Sequence, residues 1–170
     1  TLPDTTSPDV SSALALSTTK VTLTFSESMD SLSVLNGTYT VDSVISVISA
    51  QISSTDFTKV DLVLSSPIDT GIVYTVTASG LSDCSGNLII SNNTTQFLIS
   101  YPQERFDILI TEIFADPTPP VGLPEFEYIE YYNNSNKPFN FFNESIFYPG
   151  EYIISCSETA GPFFEQYGKV

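Results

Sequence analysis

KVTLTF, residues Lys20–Phe25, alternates polar and apolar side chains without interruption, and this pattern sets the expected fold. A period of two places all three apolar side chains on one face of an extended strand. Two later stretches, Lys59–Leu64 and Gly71–Thr77, alternate in the same way and are rich in β-branched residues. We therefore expect an antiparallel sheet with one face in a core and the other in water.

Shorter apolar stretches extend this pattern over residues 1–100. They predict further strands at Ala13–Leu16, Tyr39–Val41, Val44–Gln51 and Thr95–Ile99. Turn residues separate the strands, at Asn36-Gly37, Ser66-Pro67, Asp69–Gly71 and Asp83–Asn87. About seven short strands with turns every 8–12 residues are typical of an immunoglobulin-like (Ig-like) β-sandwich. No stretch has the periodicity of a helix.

The composition of the chain changes near residue 101. Ser and Thr dominate before it, whereas most aromatic residues and prolines come after it. Because a single core rarely changes its composition halfway, we expect two domains, residues 1–102 and 103–170. The second is also expected to be all-β. Its predicted strands are Ile108–Phe114 and Phe126–Tyr132, which we expect to be adjacent, then Pro138–Phe142 and Glu151–Cys156.

The charge balance excludes several classes of function. The 170 residues include 20 Asp and Glu but only 5 Lys and Arg, giving a formal net charge of -15. Such a chain lacks the clustered cations needed to bind nucleic acid or an anionic membrane surface. The absence of His removes His-based catalytic triads and metal sites. No apolar stretch is long enough for direct membrane insertion, and we expect no enzyme activity.

Two motifs in the first half carry a resemblance to a known family. They are Val21–Asp30 (VTLTFSESMD) and Tyr74–Asn87 (YTVTASGLSDCSGN). Together they resemble the bacterial Ig-like domains of S-layer and other surface proteins, through the elements F-S-E-x-M-D and L-x-D-x-x-G-N. The resemblance covers about residues 3–100 and implies an Ig-like β-sandwich.

Two motifs in the second half resemble a different family. Ile108–Tyr132 (ILITEIFADPTPPVGLPEFEYIEYY) and Tyr148–Gly168 (YPGEYIISCSETAGPFFEQYG) are similar to the lamin-tail domains of secreted Bacteroidetes proteins. The segment Phe142–Ile146 joins the matched pieces directly, without the Trp-bearing strand that this family usually has there. The resemblance therefore implies a partial, Ig-like lamin-tail domain.

The two resemblances imply a structural or adhesive function at the cell surface. Such modules belong to large exported proteins, often sent out by type 9 secretion, and act as spacers and interaction surfaces. We expect this chain to be a piece of such an extracellular protein, with other domains or subunits of a surface assembly as partners. The alternatives are a module that binds a surface glycan or a protein, and an accessory domain of a secreted hydrolase or nuclease.

Calcium is the one cofactor for which the sequence offers candidate ligands. Glu112, Asp116 and Glu130 come together if the strands that carry or precede them pair, and carboxylate oxygens are what Ca²⁺ prefers. Glu127 points to the opposite face from Glu130, so one site can use only one of them. No EF-hand motif is present, and the alternative is a solvated acidic edge.

The aromatic residues of the second half suggest an interface. Alternation along the predicted strands sends part of the set Tyr131, Tyr132, Phe141 and Phe142 outward. Tyr and Phe anchor protein interfaces through large rigid faces, and Tyr also stacks on sugar rings. The alternative is that these side chains pack in the domain's own core.

Several polar residues have a structural explanation at the level of sequence. Asp83 is expected to cap its own turn, and Glu27 and Asp30 are expected to close a loop by accepting backbone N–H bonds. The two cysteines, Cys84 and Cys156, are expected to be small buried apolar residues. The alternatives are a disulfide between them and a disulfide from Cys156 to residues outside this sequence.

Three short motifs resemble the O-glycosylation pattern of exported Bacteroidetes proteins, in which Asp precedes Ser or Thr and then a small or apolar residue. The candidate acceptors are Thr5, Ser31 and Ser43.

Overall fold

A computed structural model describes residues 4–42, 44–115, 127–141 and 145–156. The chain divides into two compact units. The first contains residues 1–100 and 139–146, and the second contains residues 101–138 and 147–170. The boundary at Ser100–Tyr101 lies close to the expected one after residue 102, but Phe139–Ile146 groups with the first unit instead of the second.

Within the described part of residues 1–100, the first unit forms seven strands and one short helix. Its elements are β1 (Val10–Ser17), β2 (Lys20–Phe25), α1 (Ser31–Asn36), β3 (Thr38–Val41), β4 (Ile45–Ile52), β5 (Lys59–Leu64), β6 (Tyr74–Ser79) and β7 (Thr94–Phe97). The strands pair antiparallel in the order β1-β2-β5-β4-β3-β6-β7. Only two residue pairs join β3 to β4, so the ladder bends there into two layers. The expected all-β fold and Ig-like sandwich are confirmed.

The core of this sandwich comes from the alternation seen in the sequence. In β2, Val21, Leu23 and Phe25 are buried, whereas the residues between them face outward. The apolar residues of β5 pack into the same core, and Phe97 on β7 is fully buried beside Tyr74, with ring centroids 6.0 Å apart. Burial of this apolar face is the main free energy that holds the layers together.

The helix α1 was not expected. Asp30 begins it, because its Oδ2 accepts a 2.8 Å hydrogen bond from the backbone N–H of Ser33. Capping of this kind stabilises a helix that would otherwise be too short to form. The periodicity of the sequence did not indicate this helix, because six residues are too few to show a helical repeat. Asp at the cap position and Gly37 after the last residue were the available signals.

The chain enters and leaves the first unit at opposite ends. At one end, the N–H of Val10 donates to the carbonyl of Asn92, so β1 and β7 start side by side. At the other end, Ile68 donates to Thr18 after β1, and Gly71 donates to Ile99 after β7. The two ends are therefore separated by the length of β1, which is roughly 25 Å for its 8 residues.

The second unit contains a three-stranded antiparallel sheet. Its strands are β8 (Ile108–Phe114), β9 (Tyr128–Asn133) and β12 (Tyr152–Cys156), in the order β12-β9-β8. Two short strands later in the chain, β10 (Phe139–Phe141) and β11 (Ser145–Phe147), form a separate two-stranded sheet. The expected adjacency of the first two strands of this half is confirmed, whereas β11 was not predicted.

A buried asparagine organises the loop after β9. Asn133 is fully buried, and its Nδ2 donates to the carbonyls of Lys137 and Phe147 at 2.9 Å each. Its Oδ1 accepts from both the N–H and the Oγ of Ser135. All the hydrogen-bonding capacity of this amide is thus used within the unit, which compensates the cost of burying it.

Both cysteines are free. Cys84 is exposed, so its predicted burial was wrong: the turn that Asp83 caps places residue 84 at its outer side. Cys156 is half-buried on β12, and desolvation raises the pKa of its thiol. The one helix in the described part of the chain is too short to cross a membrane.

Candidate functional site

Three segments meet at the end of the first unit where β1 begins: the N-terminal segment, the loop after β2 and the turn Asp83–Asn87. A β-bridge between Met29 and Asp83 joins the loop after β2 to the turn Asp83–Asn87. Asp83 is buried, and its Oδ1 accepts from the backbone N–H of Ser85 at 2.9 Å and of Asn87 at 2.7 Å. The Nδ2 of Asn87 donates to the Oδ2 of Asp83 at 2.8 Å. The predicted capping role of Asp83 is therefore confirmed.

The same turn holds the incoming N-terminal segment. The Nδ2 of Asn87 donates to the carbonyl of Asp4, and the Oγ of Ser85 donates to its carboxylate, each at 3.4 Å. This brings the carboxylate of Asp4 to those of Glu27 and Asp83, with one oxygen from each within 4.8 Å of the others. We call these three residues the carboxylate cluster.

Two members of the carboxylate cluster, Glu27 and Asp83, have shifted pKa values. Desolvation raises the pKa of Glu27, and the negative charges of Asp4 and Asp83 raise it further. Desolvation is also the largest influence on Asp83, but hydrogen bonds from Asn87, Ser85 and Gly86 outweigh it and hold its pKa below the ordinary value. Asp83 therefore stays ionised to a lower pH than an ordinary Asp, whereas Glu27 protonates at a higher pH than an ordinary Glu.

The carboxylate cluster is the one group of three metal-ligating side chains in the described residues. Three carboxylate oxygens are part of the six to eight oxygen ligands that Ca²⁺ takes. The cluster offers only three of these ligands, so we assign no metal to it. Sequence reasoning placed Glu27 and Asp83 in separate turns and missed the cluster, because Asp4 lies far from both in sequence.

The predicted calcium ligands lie in the second unit. Glu112 on β8 and Glu130 on β9 are cross-strand partners, as their expected convergence requires. Each carboxylate accepts a hydroxyl bond: the Oη of Tyr128 donates to Glu112 at 2.7 Å, and the Oγ1 of Thr111 donates to Glu130 at 2.8 Å. Desolvation and the bond to Glu112 raise the pKa of Tyr128 to about 12. The third candidate, Asp116, lies outside the described residues, so calcium binding stays a prediction.

The predicted aromatic interface is described in part. Tyr131 and Tyr132 are half-buried on opposite faces of β9, and Tyr132 packs against Tyr152 with ring centroids 4.7 Å apart. Phe141 is half-buried on β10, and Phe142 lies outside the described residues. The role of these four residues as an interface stays a prediction.

The remaining predicted sites are on the first unit. Thr5 is exposed in the N-terminal segment, and Ser31 is exposed as the first residue of α1. Ser43 lies outside the described residues. Asp30 closes its loop as expected by accepting a backbone N–H bond, but Glu27 joins the carboxylate cluster.

Comparisons with known structures agree with the fold. The structure of the N-terminal part of the bacterial S-layer protein SbsC matches 89% of this chain and 40% of its own, with a TM-score of 0.50 and 18% identity. A structure of domains 1–6 of surface layer protein SbsC matches 89% of this chain and 32% of its own, with a TM-score of 0.50 and 14% identity. The chain therefore spans well under half of either structure.

Sequence comparison places the first unit in a family. No curated protein matches the chain in sequence. A family model described as "Bacterial Ig-like domain" matches residues 3–100, which are more than half of the chain and contain all seven strands of the sandwich. The chain belongs to the bacterial Ig-like domain family.

Proposed function

We propose that this chain is a non-catalytic structural and interaction module pair of a large exported cell-surface protein. The observation that carries the proposal is the match of residues 3–100 to the bacterial Ig-like family. The likeness in fold to a surface layer protein supports it. Domains of this kind are generally non-catalytic, which favours a spacer over an enzyme.

The geometry of the first unit suits a spacer. The chain enters beside Asn92 and leaves beside Gly71, at opposite ends of the strands. The incoming segment is also fixed: the N–H of Asp9 donates to the Oγ of Ser26, and the N–H of Ser26 donates back to the carbonyl of Asp9. A unit that is anchored where the chain enters and extended to where it leaves holds a fixed distance between its neighbours.

Surface location is tested on intact cells of the source organism. An antibody raised against the first unit should label unpermeabilised cells, and a protease added outside should remove the label. A cytoplasmic protein serves as the control for cell integrity. Labelling only after lysis would contradict the proposal.

We infer that the second unit is a shortened lamin-tail-like domain, as in secreted Bacteroidetes proteins that use type 9 secretion. The motifs in Ile108–Tyr132 and Tyr148–Gly168 support this, as does the pairing of β8 with β9, the strands at the two ends of the first motif. Peptide mapping of the native polypeptide tests it. Flanking modules and a secretion signal of the type 9 system in the same polypeptide are expected, and a cytoplasmic enzyme fused to this chain would contradict it.

Ligand binding is the second candidate function. The half-buried Tyr132 and the more exposed Tyr152 pack against each other with tilted rings on one face of the sheet, and such rings bind sugars and proteins. A calcium ion held by Glu112, Asp116 and Glu130 would make the binding metal-dependent. Titration with a panel of polysaccharides tests ligand binding, and the absence of saturable binding favours the spacer. Thermal melting with and without EDTA tests calcium, and an unchanged melting temperature in EDTA excludes it. The same modules could also serve as accessory domains of a secreted hydrolase or nuclease.

A further inference from the structure

Strand β8 lies at an edge of the second unit's sheet. Within the described residues, β8 pairs with β9 along one side and with no strand along the other side. Four consecutive residues, Ile110 to Ile113, are exposed. The backbone N–H and C=O groups that β8 directs away from β9 are therefore accessible to an added strand.

A β-bulge gives this edge one apolar face. Ile110 pairs with Tyr131 and Ile113 pairs with Ile129, because the register shifts by one residue at Thr111. Residues 129 and 131 share a face of β9, so the bulge places both isoleucines on that same face. Ile110 is 56% exposed and Ile113 is 64% exposed. An added strand can cover them.

The opposite face of the edge is acidic. Glu112 is exposed there, directly across from Glu130 on β9. Neither β8 nor β9 contains a Lys or Arg. Like charges directly opposite each other on a sheet are destabilising, and a cation on a neighbouring strand offsets them.

We propose that the β8 edge binds an extended segment of another protein in which apolar residues alternate with Lys or Arg. The segment adds a strand to the sheet, its apolar side chains cover Ile110 and Ile113, and its cations face Glu112. A second copy of this chain is disfavoured, because pairing β8 with itself brings acidic strands together and the net charge is -15. This inference rests on the proposed interaction role and names the partner's chemistry.

Short peptides of the same length as β8 test the proposal on the full chain. The probe alternates valine with lysine, and its matched control alternates valine with glutamate. We expect saturable binding of the lysine peptide, with chemical-shift changes confined to β8 and its neighbours, and about tenfold weaker binding of the glutamate peptide. A lysine peptide with methylated backbone nitrogens on alternate residues should lose binding, because it cannot extend the hydrogen-bond ladder.

Two substitutions identify the site. Glu112→Lys should reverse the preference, so that the glutamate peptide binds about tenfold better than the lysine peptide. Asp69→Lys makes the same charge change at an exposed position of the first unit and should leave the preference unchanged. Equal effects of the two variants, or undiminished binding of the methylated peptide, would show attraction to the overall charge alone and overturn the proposal.

The two proposals fail in different experiments. Antibody labelling of intact cells tests surface location and does not depend on β8. If the cells are labelled but the lysine peptide does not bind, the edge-strand inference is wrong and the surface role stands. If the label appears only after lysis, the surface role is wrong whatever the peptide does.

Discussion

Each of the two units of this chain is stabilised by a different kind of interaction. The first unit buries apolar side chains from each of the strands β1 to β7 in one cluster. In the described part of the second unit, the buried apolar residues are Phe147 and Ile154, and the fully buried Asn133 joins three segments by hydrogen bonds. The comparison teaches that the first unit is stabilised mainly by burial of a continuous apolar face, whereas hydrogen bonds carry a larger share among the described residues of the second.

The largest expected effect tests the core of the first unit. Phe97→Ala removes a fully buried ring and should lower the free energy of unfolding by about 3–5 kcal/mol. Leu16→Ala, at a residue that is 60% exposed, should change it by less than about 0.5 kcal/mol. Denaturant titration measures both, and hydrogen exchange of the full chain should show protection lost in the first unit and kept in the second. Equal losses in both units would contradict their separate stabilisation.

The next effect tests the buried amide of the second unit. Asn133→Ala leaves the carbonyls of Lys137 and Phe147 without their donor and should cost about 1–3 kcal/mol. Hydrogen exchange should accelerate in β9 and β12 and stay unchanged in the first unit. The control is Asn136→Ala, at an exposed position in the same loop. If the two variants behave alike, the hydrogen bonds of Asn133 do not hold this unit together.

A smaller effect is expected at the turn of Asp83. Asp83→Ala removes the acceptor of three hydrogen bonds and should cost about 1–2 kcal/mol at neutral pH. Because the pKa of Asp83 is held below its ordinary value, this stability is present above the ordinary pKa and is lost as pH falls through the lowered one. The difference from wild type should therefore shrink in acid, and a constant difference would contradict it. Asp69→Ala is the matched control.

The smallest effect is expected at Glu27, where a substitution should raise the melting temperature instead of lowering it. The pKa of Glu27 is raised by desolvation and by Asp4 and Asp83, so its contribution to stability is present below the ordinary pKa and lost as pH rises through the raised one. Glu27→Gln should thus raise the melting temperature slightly at neutral pH and lose this advantage in acid. Asp69→Asn, the same change of carboxylate to amide outside the carboxylate cluster, should do neither. A melting temperature lowered at neutral pH by Glu27→Gln would show that the cluster is stabilising.

The sequence predicted the strands of this fold well because they depend on local patterns. Alternation in KVTLTF and its counterparts located β2 and β5 to the residue, and the apolar run ILITEIF located β8. The helix α1 and the three-residue β11 were missed, because neither is long enough to establish a period. The bulge at Thr111 was also missed, since its extra residue shows only against the partner strand.

The candidate sites were predicted less well because they depend on tertiary contacts. Pairing of β8 with β9 made Glu112 and Glu130 neighbours, which followed from strand adjacency. The carboxylate cluster joins the N-terminal segment to two loops, and no local pattern relates Asp4 to Asp83. The exposure of Cys84 follows from the direction of one turn, which composition does not encode.

The side-by-side start of β1 and β7 has a mechanical consequence. When the first unit is pulled at β1 and at the residues that follow β7, these two strands are drawn past each other along their length. The backbone bonds of β1 to β2 and of β7 to β6 lie across this direction, so the force loads many of them at once instead of opening them one after another. The first unit should therefore resist tension along its strands, because many backbone hydrogen bonds must break together before the sandwich opens.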